Sequence, residues 1–183
     1  MIVAIVIVVG LVLVVLYAIV SYNGLVSLRN RIENAWAQID VQLKRRYDLI
    51  PNLVETVKGY AAHERDTLDA VVTARNAGLS AHGPHDQAAA ENQLSGALKS
   101  LFALSEAYPD LRANQNFGQL QEELTGTEGR IAYARQFYND TVYRYNTKVQ
   151  SFPANVLAGM FRFQEREYFQ ADDGSRGPTP VSF

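Results

Sequence analysis

A block of apolar side chains comes first along the chain, and a long series of apolar positions spaced by three and four follows it. Ile2 to Val20 reads IVAIVIVVGLVLVVLYAIV, without one charged residue. As a helix rising about 1.5 Å per residue this run spans roughly 29 Å, close to a bilayer hydrocarbon core of about 30 Å. A helix buried in a soluble core keeps polar positions on at least one stripe, and this run has none. The competing reading is a cleaved signal peptide. No Lys or Arg precedes the run, and Val20-Ser21-Tyr22 lacks the small-x-small cleavage pattern, so the sequence predicts a retained transmembrane helix. Gly10 has bulky residues four away on both sides, which argues against tight helix pairing by backbone contact within the span.

Beyond the span, apolar residues recur at Leu25, Leu28, Ile32, Ala35/Trp36, Ile39, Leu43 and Tyr47. This is the stripe of an amphipathic helix that continues the span across the weak junction of Asn23 and Gly24. Pro51 is expected to kink or break it, with Asp48 capping a second segment whose stripe runs through Leu53, Val57, Ala61, Leu68 and Val71. Gly78 to His85 (GLSAHGPH) reads as the clearest loop. A third helix is predicted over 86–107, ended by Pro109, and a long fourth over 114–150. The seam of the fourth reads Phe117, Leu120, Leu124, Thr127, Ile131, Ala134, Tyr138, Val142, Tyr145 and Val149, the most regular pattern in the chain. Ser151 and Pro153 are expected to start a short helix reaching Met160. Long helices, short connections and no alternating strand pattern predict an all-α architecture. Its parts are a transmembrane anchor (1–22), an antiparallel up-down helical bundle (23–170) and a C-terminal tail (171–183).

Composition narrows the function more than the fold. The chain has 183 residues, of which 48% are hydrophobic and 20% charged. That is a globular balance, and it leaves about 160 residues for one soluble domain. A formal charge of −2 gives no basic field for nucleic acid. The absence of cysteine excludes disulfides, thiolate catalysis and lipoprotein acylation. Arg29, Arg31, Lys44, Arg45 and Arg46 follow the span while no basic residue precedes it. The positive-inside rule therefore predicts a single-pass protein with the N-terminus outside and the bundle in the cytoplasm. Tyr17 and Tyr22 suit the membrane–water boundary.

Chemistry is sparse. No His carries the Glu three residues earlier that a bundle di-metal site needs. His82, His85 and Asp86 have ligand-like spacing but no fourth ligand, so exposed loop histidines are the better reading; His63 beside Glu64 reads as a surface pair. No glycine-rich phosphate loop or nucleophile elbow occurs. The chain is expected to be no enzyme and to use no cofactor or metal. The unusual feature is polar residues on or beside the apolar seams. Gln42, Arg45, Arg46, Asp48, Asn52 and Glu55 gather around Pro51. Along the last long helix, Glu128 and Arg135 form one pair seven residues apart and Asn139 and Asn146 another, each sharing a face. Interhelical bonds that fix register, or solvated flanks, explain them more simply than a partner-binding surface does.

The stretch QLKRRYDLIPNLVETVKGY (Gln42–Tyr60) resembles the signature of the LemA family of bacterial membrane-anchored proteins. Similar to that family too are the Trp36 region, Ala74-Arg75, the series Glu128, Ile131, Ala134-Arg135, and the Tyr138-Asn139 and Tyr145-Asn146 pairs. Phe152-Pro153-x-Asn155 and the ending Pro180-Val181-Ser182-Phe183 complete the set. The resemblance covers nearly the whole chain, apart from the loop His82–His85. It implies a single N-terminal anchor, an external N-terminus and an intracellular antiparallel helical bundle, with loose ties to envelope and membrane organisation and no settled biochemical activity.

Two functions are compatible with this reading. The first is a membrane-anchored scaffold or adaptor, homo-oligomeric and contacting other membrane proteins, with the bilayer held through residues 2–20. The second is an accessory or sensor subunit binding a small ligand between helices, for which a pocket lined by Tyr138, Tyr145 and the polar set would speak. The tail ADDGSRGPTPVSF is mobile by composition yet ends in apolar Val181 and Phe183. Those two residues are expected to dock in a groove or beside an extended segment, on the same chain or a neighbouring subunit.

Overall fold

Apolar periodicity becomes helix over most of residues 1–170, the part of the chain that the computed structural model describes. Among the described residues there are six helices: α1 (Ile2–Lys58), α2 (Arg65–Ser80), α3 (Gly83–Ser105), α4 (Pro109–Arg112), α5 (Gln115–Gln150) and α6 (Ala154–Met160). They belong to two compact units. The first comprises residues 1–38 and 136–167; the second comprises 39–135 with 168–170. Two helices, α1 and α5, contribute to both.

In the first unit the apolar run of α1 is exposed from Ile2 to Val20 apart from half-buried Ala18, and burial begins at Ser21 and Leu25. The helix does not break at Asn23-Gly24. Gly24 instead leaves room for the Lys148 side chain of α5, whose Cε a Cβ at Gly24 would meet at 3.5 Å. Ile32 and Ala35 of α1 and Tyr138, Val142 and Tyr145 of α5 form the interior of this unit.

In the second unit the expected break at Pro51 does not occur: α1 carries the proline inside it and ends seven residues later, at Lys58. Proline has no N–H, so the carbonyl four residues earlier, Tyr47 C=O, loses its helical donor. The Arg75 Nε of α2 takes that place and donates to Tyr47 O at 2.8 Å. The chain turns instead at Gly59–Glu64, where Ala61 is buried outside any helix and Tyr108 Oη donates to Glu64 Oε1 at 3.0 Å.

The expected Gly78–His85 loop is mostly helix. Only Ala81 and His82 separate α2 from α3, and the two helices pack along one another as a hairpin. Pro84 lies in the first turn of α3, where its missing N–H costs nothing, and Asp86 follows on the favourable side of the helix dipole. Gly78 is a buried residue of α2, and its purpose is space. A Cβ there would lie 2.7 Å from Tyr47 Cζ and 3.0 Å from Cε1, so the tyrosine ring seats against bare backbone.

At the start of α5, Asn114 Oδ1 accepts the Phe117 N–H at 3.1 Å, a side-chain cap, while its Nδ2 donates to Tyr60 Oη at 2.9 Å. Ser151 does not cap α6. Its hydroxyl donates back to Thr147 O at 2.6 Å and finishes α5, so α6 starts only at Ala154.

The Pro51 compensation yields a direct test. Arg75→Met leaves a part-buried carbonyl without its donor and is expected to cost about 1–3 kcal/mol in unfolding of the detergent-solubilised chain. In a Pro51→Ala background, where the alanine N–H restores the helical bond, the same substitution should cost less than half as much. Equal losses in the two backgrounds would show that Arg75 acts elsewhere.

Candidate functional site

The second unit holds a polar cluster inside its apolar core. Arg46 projects from α1 and Glu91 from α3, each with a side chain only 3% exposed. Arg46 Nη1 donates to Glu91 Oε2 at 2.9 Å, and its Nη2 to Ser95 Oγ at 2.9 Å. The Tyr47 hydroxyl donates to Glu91 Oε1 and accepts from Gln87 Nε2 at 2.7 Å, and that amide also donates to the Gly78 carbonyl at 3.3 Å. Both carboxylate oxygens are thus satisfied by groups from a single helix, α1. Burial first, then the bond and charge of Glu91, push the Tyr47 hydroxyl well above its ordinary range, so it stays a donor. Arg46 Nε is buried without a hydrogen-bond partner.

Arg135 of α5 lies half-buried, with its guanidinium 4.8 Å from the centre of the Phe169 ring, a cation–π distance. Burial lowers its pKa, and the Glu91 charge works against that shift. Beside the cluster is a cavity of about 310 Å³, lined in part by Arg46, Ser95, Lys99, Phe102 and Glu128.

The first unit is fastened differently, by an irregular segment after α6. Asn146, buried on α5, makes a two-way clasp on the backbone of Arg166. Its Nδ2 donates to Arg166 O at 2.9 Å, and its Oδ1 accepts the Arg166 N–H at 2.9 Å. Tyr138 Oη donates to Glu167 O at 2.9 Å, and its ring lies 5.6 Å from Trp36 of α1. Burial, the larger influence, pushes the Tyr138 hydroxyl up to about 12. Arg166 Nη2 approaches Glu33 Oε1 of α1 at 3.9 Å.

The polar residues singled out from sequence therefore separate. Arg46, Arg135 and Asn146 turn inward, and Asn139 is half-buried. Arg45 pairs with Glu123 of α5 at 3.3 Å with both side chains 50% exposed, and Glu55 pairs with Lys58 at 3.7 Å in solvent. Such exposed pairs contribute at most about 1 kcal/mol. Asp48 and Asn52 are exposed, as is Glu128 at the cavity. The first seven-residue pair, Glu128 and Arg135, serves the second unit and the other, Asn139 and Asn146, the first. His82 and His85 are both exposed at the α2–α3 turn, with His85 Nδ1 3.5 Å from Asp86 Oδ1. Val181 and Phe183 lie outside the described residues. The partners Glu91, Gln87 and Arg166 are not among the residues that the sequence reading picks out. Glu91 has a readable signal, since it repeats at three and seven residues with the buried Leu94 and Leu98; Arg166, in irregular chain, has none.

Breaking a buried ion pair from one side strands the other charge. Arg46→Met is expected to cost about 3–5 kcal/mol in unfolding free energy, and the double variant Arg46→Met/Glu91→Met markedly less than the sum of the singles. Additive losses would mean that the two residues are not coupled.

The sequence matches the LemA family over residues 35–183. Magnetosome protein MamQ 2 of Paramagnetospirillum magneticum is 26% identical over 189 residues, covering 89% of this chain and 69% of that protein. Protein LemA of Metamycoplasma hominis is 27% identical over 164 residues, covering 87% of this chain and 74% of its own length. Magnetosome protein MamQ of Magnetospirillum gryphiswaldense is 24% identical, with coverages of 89% and 69%. The match includes the Pro51 segment, the Arg46–Glu91 cluster and the Asn146 clasp, and with these in place the chain belongs to the LemA family, as a helical, membrane-associated member.

Proposed function

We propose that this protein is a membrane-anchored scaffold, homo-oligomeric and without catalytic activity, which serves membrane or envelope organisation by holding helical surfaces at a set position relative to the bilayer. The observation that carries the proposal is in the first unit. The apolar span passes without a break into helix that residues 136–167 grip through Trp36, Glu33 and Leu25 on one side and Tyr138, Asn146 and Arg166 on the other. A flexible linker would let residues 21–38 and 136–167 wander from the span; a continued helix does not. Polar side chains that turn inward are used in register, which supports a structural task for Arg46, Arg135 and Asn146, while Arg45, Asp48, Asn52, Glu55 and Glu128 remain available to partners. The basic residues after the span, Arg29 and Arg31 first, favour a cytoplasmic domain.

The scaffold reading predicts that light scattering on the detergent-extracted full chain, after subtraction of detergent, gives a multiple of 20.4 kDa. A protomer mass at all concentrations would defeat it. Orientation is separable. The chain has no cysteine, so Asn30→Cys is a unique thiol, and an impermeant maleimide should label it only after spheroplasts are opened. Labelling of intact spheroplasts would reverse the topology.

The cavity beside Arg46 favours a second reading, a sensor for a small ligand. Arg46 is already neutralised by Glu91, which leaves Lys99 and Glu128 as opposite charges on the lining and fits a small zwitterion. On this reading at least one L-amino acid at millimolar concentration raises the Tm, and both Lys99→Met and Glu128→Gln abolish the rise. No shift from any of them removes it. The tyrosines expected on such a pocket are not there: Tyr138 and Tyr145 belong to the first unit.

A further inference from the structure

Phe152 to Phe161, FPANVLAGMF, is an uncharged run outside the membrane span, and the first unit leaves much of it exposed. Within it α6 is two-faced. Ala154 and Ala158, four apart, are buried, whereas Phe152, Val156 and Met160, also four apart, face outward. Phe152 is 82% exposed, Met160 71% and Phe161 55%. Water is an unfavourable neighbour for so much contiguous apolar surface on so short a helix.

The neighbours of this surface say what covers it. Phe161 packs edge-on against Tyr22 with ring centres 4.8 Å apart, and Phe163 meets the same tyrosine at 5.6 Å. Phe161 also shares a groove of about 370 Å³ with Ala18, Ile19, Tyr22 and Asn23, the last turn of the apolar span and the residues just after it. The exposed face of α6 is therefore continuous with the surface of the transmembrane helix where that helix leaves the hydrocarbon. Behind Phe161 the chain turns at Arg162, in the left-handed region at φ 56°, with the Phe163 N–H donating to Ala158 O at 2.9 Å. A left-handed residue just past the last turn is a common way to end a helix. That turn brings Arg162 and Arg166 to a small recess with Arg29 and Glu165, three cations to one carboxylate, so a net positive charge lies beside the apolar face. Apolar and aromatic groups beside arginines are the composition of a surface that enters the headgroup layer.

We infer that α6 is a second membrane contact: its Phe152–Val156–Met160 face, with Phe161, lies in the bilayer interface beside the exit of the transmembrane helix. The inference rests on the reading that residues 2–20 span a bilayer. Two attachments, one spanning and one interfacial, fix the rotation of α1 about its own axis as well as its depth, which a lone span leaves free.

Single cysteines in the otherwise cysteine-free full chain, labelled with an environment-sensitive fluorophore and reconstituted in phosphatidylcholine–phosphatidylglycerol vesicles, give the test. Val156→Cys and Met160→Cys should show blue-shifted emission and be quenched by nitroxide lipids several-fold more strongly than Gln136→Cys, an exposed site on α5 in the same unit. Leu16→Cys reports on the span itself. Quenching at Leu16 with none at 156 and 160, where aqueous iodide quenches instead, overturns the interfacial contact and leaves the anchor standing. No lipid quenching at any of the labels, Leu16 included, overturns both.

Discussion

One residue, Tyr47, is where the second unit is joined. Its carbonyl, orphaned by Pro51, is met by Arg75 of α2; its hydroxyl is shared between Glu91 and Gln87 of α3; its ring occupies the space that Gly78 leaves. Three different parts of one residue thus tie α1 to both helices of the α2–α3 hairpin. The neighbouring Arg46 closes the cluster by pairing with Glu91. Each contact presupposes the others. The ring against Gly78 places the hydroxyl at Glu91, and the adjacent positions of Arg46 and Tyr47 on α1 bring both to the same carboxylate. A buried polar network is costly when partly satisfied, so it admits few alternative helix registers. That selectivity, rather than net stability, is what such a cluster contributes best.

The first unit solves a related problem with less charge. Two helices cannot enclose a core alone, and here residues 161–167 cross between α1 and α5 as a third wall. Irregular backbone placed against helices needs hydrogen-bond partners for its own N–H and C=O groups. Asn146 supplies one of each to Arg166, and Tyr138 one more to Glu167. An asparagine suits this because its amide presents a donor and an acceptor side by side, the complement of one residue's backbone.

Most helices are legible in the sequence because their burial is periodic. The α5 seam is buried nearly as the three-and-four spacing implies. Thr127 sits among its apolar neighbours because the hydroxyl bonds back to Glu123 O at 2.7 Å, a local bond that hides its polarity. Breaks are less legible. Pro51 and the GLSAHGPH stretch carry the strongest local breaking signals in the chain, yet the first lies within a helix and the second is mostly helix ends. In both cases a distant group overrides local preference: Arg75 replaces a missing donor, and Tyr47 demands a glycine. Neither compensation has a local signature, since Tyr47 is 28 positions from Arg75 and still farther from Gly78. The candidate site is half-visible for the same reason. Arg46 and Asn146 stand out as polar residues on apolar seams, while what they bind depends on how helices meet.

Where the polar groups are used bears on what the molecule can do. Arg46 and Tyr47 both donate to Glu91, and a carboxylate with both oxygens occupied by protein donors is poorly placed to act as a general base. The tyrosine hydroxyl, pushed up first by burial and then by its bond to Glu91, keeps its proton as the donor to that carboxylate. Proton transfer at this cluster would therefore have to dismantle the bonds that set the register of α1 against α3. Exposed surfaces carry no such conflict. The ion pairs of Arg45 and Glu55, the carboxylate of Asp48 and the apolar face of α6 can change partners without disturbing the core beneath them. The fold thus commits its buried charge to position and keeps its exchangeable groups on the surface.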